Sequence, residues 1–294
     1  MKRDHTHKND QTHQEDPSSE LFAQADIAWD KSKEEIWENL SAKLKGKGSP
    51  RPSTTLRLPS GKRWIAMAAS LALPIAIALF LRFYTSTTVT PSIAHTTVQL
   101  PDGSSVELNA ETTLRYHPYW WRVSRSLKLE GEAFFKVMPG SDFTVTSTHA
   151  TTEVVGTSFN IYARQTDYRV ECHTGKVRVF SSLSADQVLL APNQRAILEN
   201  SGKISVTSLD DQKDIPSWVN NLLMFSSTPL RLVFDEIERQ YGIEIVTPKG
   251  MQLTYSGNFA LEGDVENVLT LLCRPFDLLY EHKSGNTYTI HPAN

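Results

Sequence analysis

Apolar positions follow different rhythms along this chain, and each rhythm predicts a different kind of element. Residues 1 to about 17 are polar and read as a tail without a core. Between 20 and 45 the rhythm is helical. Leu21, Phe22, Ile27 and Trp29 form one apolar group, and Ile36, Leu40 and Leu44 recur at i, i+4 and i+8 with Trp37 beside them. Ser32 and Glu35 have the spacing of a capping box. Glu34, Glu35 and Glu38 suit an N-terminal turn, Lys43 and Lys45 a C-terminal one. Gly46, Gly48, Pro50 and Pro52 end the helix, and residues 46–60 read as a flexible linker.

From Trp64 to Leu81 the periodicity disappears into 18 residues without a charge, with Ser70 the one hydroxyl. As a helix this run is roughly 27 Å long, close to the ~30 Å hydrocarbon core of a bilayer. Pro74 sits mid-run, where a membrane helix tolerates it. Trp64 and Tyr84 are placed for the two interfaces. About 60 residues precede the run and no small-residue cleavage site follows it, which argues against a signal peptide. A buried core helix would be shorter and amphipathic.

Beyond the membrane run, residues 96–206 are short alternating runs such as Thr97–Leu100, Ser105–Leu108, Phe143–Val145 and Lys176–Phe180. Turn residues fall between them, at Pro101-Asp102-Gly103, Pro139-Gly140, Thr174-Gly175 and Ser201-Gly202. Many short strands at this spacing predict an all-β sandwich, barrel or solenoid. The last 70 residues change again. A strand near Leu223–Phe225, a helix opening at Thr228-Pro229 with the stripe Leu230, Val233, Phe234, Ile237 and Tyr241, and further strands and a helix give the order β-α-β-β-α-β-β.

Charge changes the picture by its placement. The chain has 294 residues and a net charge of −3, yet residues 51–84 carry five basic and no acidic side chains. Arg51, Arg57, Lys62 and Arg63 precede the apolar run and only Arg82 follows, which predicts a cytoplasmic N-terminus and an exported C-terminal part. A tail of about 45 residues cannot build much of a core. Its tryptophans and aliphatics need cover: each other, a membrane surface, or a partner protein. The acidic balance of the tail disfavours an anionic membrane surface, and a partner protein is the reading taken.

Candidate chemistry is sparse. Gly156-Thr157-Ser158-Phe159-Asn160 lacks the last glycine of a nucleophile elbow and has strand-like neighbours on both sides. Histidines 95, 117, 149, 173, 282 and 291 are scattered without ligand spacing, and Cys172 and Cys273 read as two buried thiols rather than a bridge. Tyr119, Trp120 and Trp121 would either stack on a sugar or cover a β-edge. No catalytic, cofactor or metal site is expected, and no enzyme.

Four stretches then occur in a set order: Leu100-Pro101-Asp102-Gly103-Ser104 to Leu108-Asn109-Ala110; Leu129-Glu130-Gly131-Glu132-Ala133-Phe134-Phe135-Lys136-Val137; Val155-Gly156-Thr157-Ser158-Phe159-Asn160; and Gly175-Lys176-Val177-Arg178-Val179. In order and spacing they resemble the FecR family of bacterial anti-sigma factors, in its long form. The C-terminal part, with Trp218, Phe225, Pro229-Leu230, Tyr241 and Phe259, resembles the module that ends those proteins, related to the short N-terminal signalling domain of secretins and TonB-dependent receptors. Residues 29–44 resemble the family's cytoplasmic segment. Ala191-Pro192-Asn193-Gln194 departs from the family's Pro-Gly-Gln, but Asn193 tolerates the left-handed turn.

The resemblance implies a bacterial inner-membrane protein with one transmembrane helix. Residues 1–62 would be a cytoplasmic sigma-factor-binding tail, 63–84 the membrane helix, and 90–206 a periplasmic solenoid- or jelly-roll-like β domain. A linker at 207–222 and an α+β module at 223–294 would follow. The tail would bind an extracytoplasmic-function (ECF) sigma factor through Trp29, Ile36, Trp37, Leu40 and Leu44, with Lys62, Arg63, Trp64 and Tyr84 flanking the membrane. The exported part would meet the signalling domain of a TonB-dependent outer-membrane transporter, and intramembrane or periplasmic proteases would free the tail. No direct contact with nucleic acid is implied. The alternative is a carbohydrate-binding or structural envelope protein anchored by its N-terminal helix.

Overall fold

The computed structural model describes residues 31–45, 60–165, 167–209, 215–248, 250–261 and 263–293, without the side chains of 60–63. The chain divides into two compact units, Met1–Met67 and Ala68–Asn294. Leu21, Phe22, Ile27 and Trp29 lie outside the described residues, as does the polar tail of residues 1 to about 17.

Helix α1, Lys33–Lys45, forms where the i, i+4 stripe places it. Ser32 Oγ accepts from Glu35 N at 3.3 Å, the first half of the expected capping box. Helix α2, Ser60–Phe83, contains Pro74. Its Trp64–Phe83 stretch of 20 residues is long and apolar enough to cross a membrane, and none of it is buried against protein.

The β domain follows directly. Its strands are β1 Ser86–Thr90, β2 Thr96–Gln99, β3 Ser105–Leu108, β4 Thr112–Tyr116, β5 Arg125–Lys136, β6 Phe143–Thr146, β7 Ala150–Val154, β8 Ser158–Arg164, β9 Asp167–Thr174, β10 Val177–Ser181, β11 Gln187–Leu190, β12 Gln194–Leu198 and β13 Ile204–Ser208. They run in two orders that share one strand: β1-β4-β5-β6-β7-β10-β11 and β2-β3-β5-β8-β9-β12-β13. All these pairs are antiparallel except β5–β6. At the far edges, Ser184 Oγ donates to Gly202 O at 2.6 Å and Asp186 accepts from Ile204 N at 2.7 Å, so the sheet nearly closes on itself. The result is a nearly closed β-sheet folded around one core.

The shared strand explains the shape. β5 pairs with β4 and β6 through its first half, and with β3 and β8 through Gly131–Lys136. The changeover falls at Gly131, whose φ of +117° is open to glycine and strained for other residues. A Cβ there would lie 2.5 Å from Thr112 Oγ1. The core between the two faces contains Phe135 stacked on Phe159 at 4.9 Å, and Phe143 edge-on between Phe135 and Trp121. Leu100-Pro101-Asp102-Gly103-Ser104 is a structural tie. Asp102 accepts from Ser104 N and from Arg125, and Arg125 also reaches the carbonyls of Met138 and Ser141, clamping the β2–β3 turn to the start of β5.

The C-terminal module has the expected order: β14 Leu222–Pro229, α3 Leu230–Tyr241, β15 Glu244–Val246, β16 Thr254–Ala260, α4 Val265–Cys273, β17 Leu278–Ser284 and β18 Thr287–Pro292. β14 pairs with β16; β15, β18 and β17 form a second small sheet, with β15–β18 parallel. Pro229 ends β14 and sits at the N-cap position of α3, one residue before its first turn. Trp218, within the stretch read as linker, is buried in the module's core. Cys172 and Cys273 are free and buried, and burial pushes each thiol up to about 11.

Candidate functional site

On α1, Trp37, Leu40 and Leu44 stand at i, i+3 and i+7, with Ile36 beside them. This spacing lines one face of a helix. That face is bare: Trp37 is 72% exposed, Leu40 50% and Leu44 70%, and no residue of the helix is buried. Glu34 and Glu35 in the first turn and Lys43 and Lys45 in the last complement the helix dipole. The helix is therefore well specified locally, while its apolar face has no cover among the described residues. The structure brings together four of the five residues expected to bind a partner; Trp29 lies outside the described residues.

On the long apolar helix α2, Trp64 is exposed near one end, and Tyr84 is half-exposed just past the other. Lys62 and Arg63 are helical in backbone, and their side chains are not described. Tyr84 packs on Phe80 at 5.5 Å and on Tyr119 at 5.3 Å. Arg82 lies over the rings of Phe83 and Trp120, at 5.4 and 5.0 Å. His117 Nδ1 is 3.0 Å from Tyr84 O. The Tyr119–Trp121 triplet is thus split: Trp121 is buried in the β core, Trp120 is half-buried, and Tyr119 is exposed.

A third feature escaped the sequence reading. Where the module meets the β domain, Phe134 turns outward from β5 and is fully buried in the module's core. Next to it, Glu132 accepts from Asn109 Nδ2 at 2.7 Å and Asn160 Nδ2 at 2.9 Å. Gln240 Nε2, on α3, donates to Asn109 Oδ1 and to Glu236 Oε1; Glu236 is paired with Arg239 at 2.8 Å. Arg164 caps the cluster by donating to the carbonyls of Ala110 and Glu111. Burial and then the nearby Glu236 hold Glu132 above the ordinary carboxylate range. Burial also works to raise Glu236, but Arg239 and Arg164 outweigh it and keep Glu236 below that range. The available signal was a charge inside an apolar run, Gly131-Glu132-Ala133-Phe134-Phe135.

These groups are consumed in holding two domains together. An open, polar hollow of about 390 Å³ beside them is lined by Glu111, Glu130, His149, Arg164 and Arg239. Among the described residues, no group of three or more His, Cys, Asp or Glu is arranged to hold a metal ion.

Comparison with known proteins matches this architecture. The family model described as FecR protein matches residues 86–178, and the one described as FecR, C-terminal, matches residues 222–290. Two crystal structures, each of a protein from Parabacteroides distasonis ATCC 8503 assigned as an anti-sigma factor, are similar at 31% identity. Their TM-scores are 0.64 and 0.65, and they cover 71% and 72% of this chain and 100% of their own. No curated protein sequence matches. With both domain models matched in order and a structural relative covered end to end, the chain belongs to the FecR family of anti-sigma factors.

Proposed function

We propose that the chain is a single-pass inner-membrane regulator whose residues 1–62 bind an ECF sigma factor in the cytoplasm. Residues 63–84 cross the membrane. The β domain (90–206), the linker (207–222) and the α+β module (223–294) lie in the periplasm. There they receive the signal from the signalling domain of a TonB-dependent outer-membrane transporter, and proteolysis by periplasmic or intramembrane proteases frees the tail. The role is regulatory and involves no catalysis by this chain.

The observation that carries this reading is the bare face of α1. An amphipathic helix with an uncovered Trp-Leu-Leu stripe is suited to a groove on another protein. Family membership says what kind of protein supplies the groove, and the apolar helix with cations on its N-terminal side supports the side on which the tail lies.

Tryptophan is the residue most enriched at interface hot spots, and its loss often removes about 2 kcal/mol or more. That is roughly a thirtyfold loss of affinity. Trp29→Ala and Trp37→Ala should each weaken binding of the tail to its sigma factor by that factor and change transcription of the genes it controls. Lys33→Ala should change little, since exposed charges contribute ~0–1 kcal/mol. Unchanged binding and transcription in both tryptophan variants would reject the reading and favour the anchored carbohydrate-binding or structural protein. For topology, alkaline phosphatase fused after Tyr84 should be active and fused before Lys62 silent; the reverse pattern would overturn the proposed orientation.

A further inference from the structure

The register of β1 against β4 fixes which end of the β domain faces the membrane helix. Ser86, two residues past Tyr84, pairs with Tyr116. The segment His117–Ser124 that follows β4 therefore lies level with the end of α2. It is held there by contacts already described: Tyr84 against Tyr119, Arg82 over Trp120, and His117 on the carbonyl of Tyr84. Trp121 anchors the segment from behind, edge-on to Tyr116 at 5.6 Å and to Phe143 at 5.7 Å inside the core. A turn fixed on both sides then projects Tyr119, 58% exposed, and Val123, 69% exposed, with Arg122 exposed between them. From His117 to Arg125 there is no carboxylate.

We infer that this turn is a second membrane contact, seated in the phospholipid headgroup layer of the leaflet that α2 leaves. Tyr119 and Val123 enter the boundary between headgroups and acyl chains, and Arg82 and Arg122 face lipid phosphates. The choice of lipid over a protein partner comes from continuity. The turn stacks on the last residues of a helix that is uncovered along its membrane-crossing length, so it sits at the depth where that helix leaves the hydrocarbon. The composition, aromatic and aliphatic tips with cations and no acids, is that of an interfacial belt. Only Tyr84 and Thr85 separate α2 from β1, so two contacts at one end of the β domain set its tilt on the bilayer.

The inference rests on α2 spanning the membrane, and its test separates the two. Full-length protein carrying Val123→Cys, Tyr119→Cys or Leu183→Cys is labelled with an environment-sensitive NBD fluorophore; the native thiols are buried. Leu183 is also exposed, and it follows β10 at the end of the sheet away from Tyr116. The protein is reconstituted in phosphatidylethanolamine–phosphatidylglycerol vesicles with and without nitroxide lipid labelled near the headgroup. Labels at 119 and 123 should emit at shorter wavelength and be quenched several-fold more than the label at 183. If the protein floats with the vesicles but all three labels are equally open to aqueous iodide and equally unquenched by lipid, the headgroup contact is overturned and the spanning helix stands. If the protein does not float with the vesicles, both readings fall.

Discussion

Phe134→Ala tests whether the β domain and the module form one cooperative structure. The ring is fully buried among module residues, edge-on to His173 at 5.5 Å, with the Lys136 ammonium 5.6 Å from its centroid. Its strand neighbours Ala133 and Phe135 belong to the other core, so the substitution opens a cavity on the module side alone. Truncating a buried phenylalanine costs about 3–5 kcal/mol. In a folded part of ~200 residues each kcal/mol lowers Tm by roughly 2–4 °C, which gives a fall of ~6–20 °C. The assay is a thermal melt of the purified chain in detergent, with hydrogen exchange resolved by peptide. Exchange should rise in α3 and β14 while β6 and β7, on the other side of the β core, keep their protection. Phe134→Leu, which refills most of the cavity, should recover more than half of the loss. A Tm within ~2 °C of wild type and unchanged protection of α3 would refute the argument, because a ring shared by two domains cannot be removed at no cost.

Two further outcomes follow from β5. Gly131→Ala puts a Cβ 2.7 Å from Thr112 Cα at a φ of +117°, and is expected to cost more than ~2 kcal/mol in urea denaturation; an unshifted midpoint would mean that the strand does not change sheets there. Glu132, held above its ordinary 4.5 first by burial and then by Glu236, keeps its proton in the folded state at pH values where the unfolded chain has lost it. Its contribution to stability therefore falls as pH rises from about 4.5 through its raised value, and is level above it. The Tm difference between wild type and Glu132→Gln should decline across that window, and a pH-independent difference would contradict the assignment.

What was legible in the sequence is what a single-face periodicity can encode. The stripe of α1, the uncharged run of α2 and the order of the module each present one apolar face, or an uninterrupted apolar stretch, to a period that reads directly. Asn193 does adopt the left-handed turn expected of it, at φ +63°. β1, Ser-Thr-Thr-Val-Thr, escaped because it holds one apolar residue and draws its place from pairing with β4. The triplet Tyr119-Trp120-Trp121 was ambiguous for a different reason. Three adjacent aromatics on an irregular turn point in different directions, and only the fold decides which one enters the core.

The junction shows where periodicity ends as a guide. From Gly131 to Phe135 every residue of β5 is buried, because one face meets the β core and the other meets the module. Alternation is then lost, and inward cannot be told from outward by hydropathy alone. Glu132 is the exception that marks the spot. A carboxylate inside an apolar run is costly unless donors meet it, so the sequence implies donors elsewhere without saying which. The structure supplies Asn109 and Asn160, 23 and 28 residues away, and Gln240 bridges Asn109 to α3 across 131 residues. Those partners are chosen by register: Asn160 reaches Glu132 because β8 pairs with β5 at Phe134, and Asn109 because it follows directly on β3, whose Leu108 pairs with Ala133. The buried carboxyl group is thus tolerable in this pairing, and a slip of one residue in either strand would leave it without its donors.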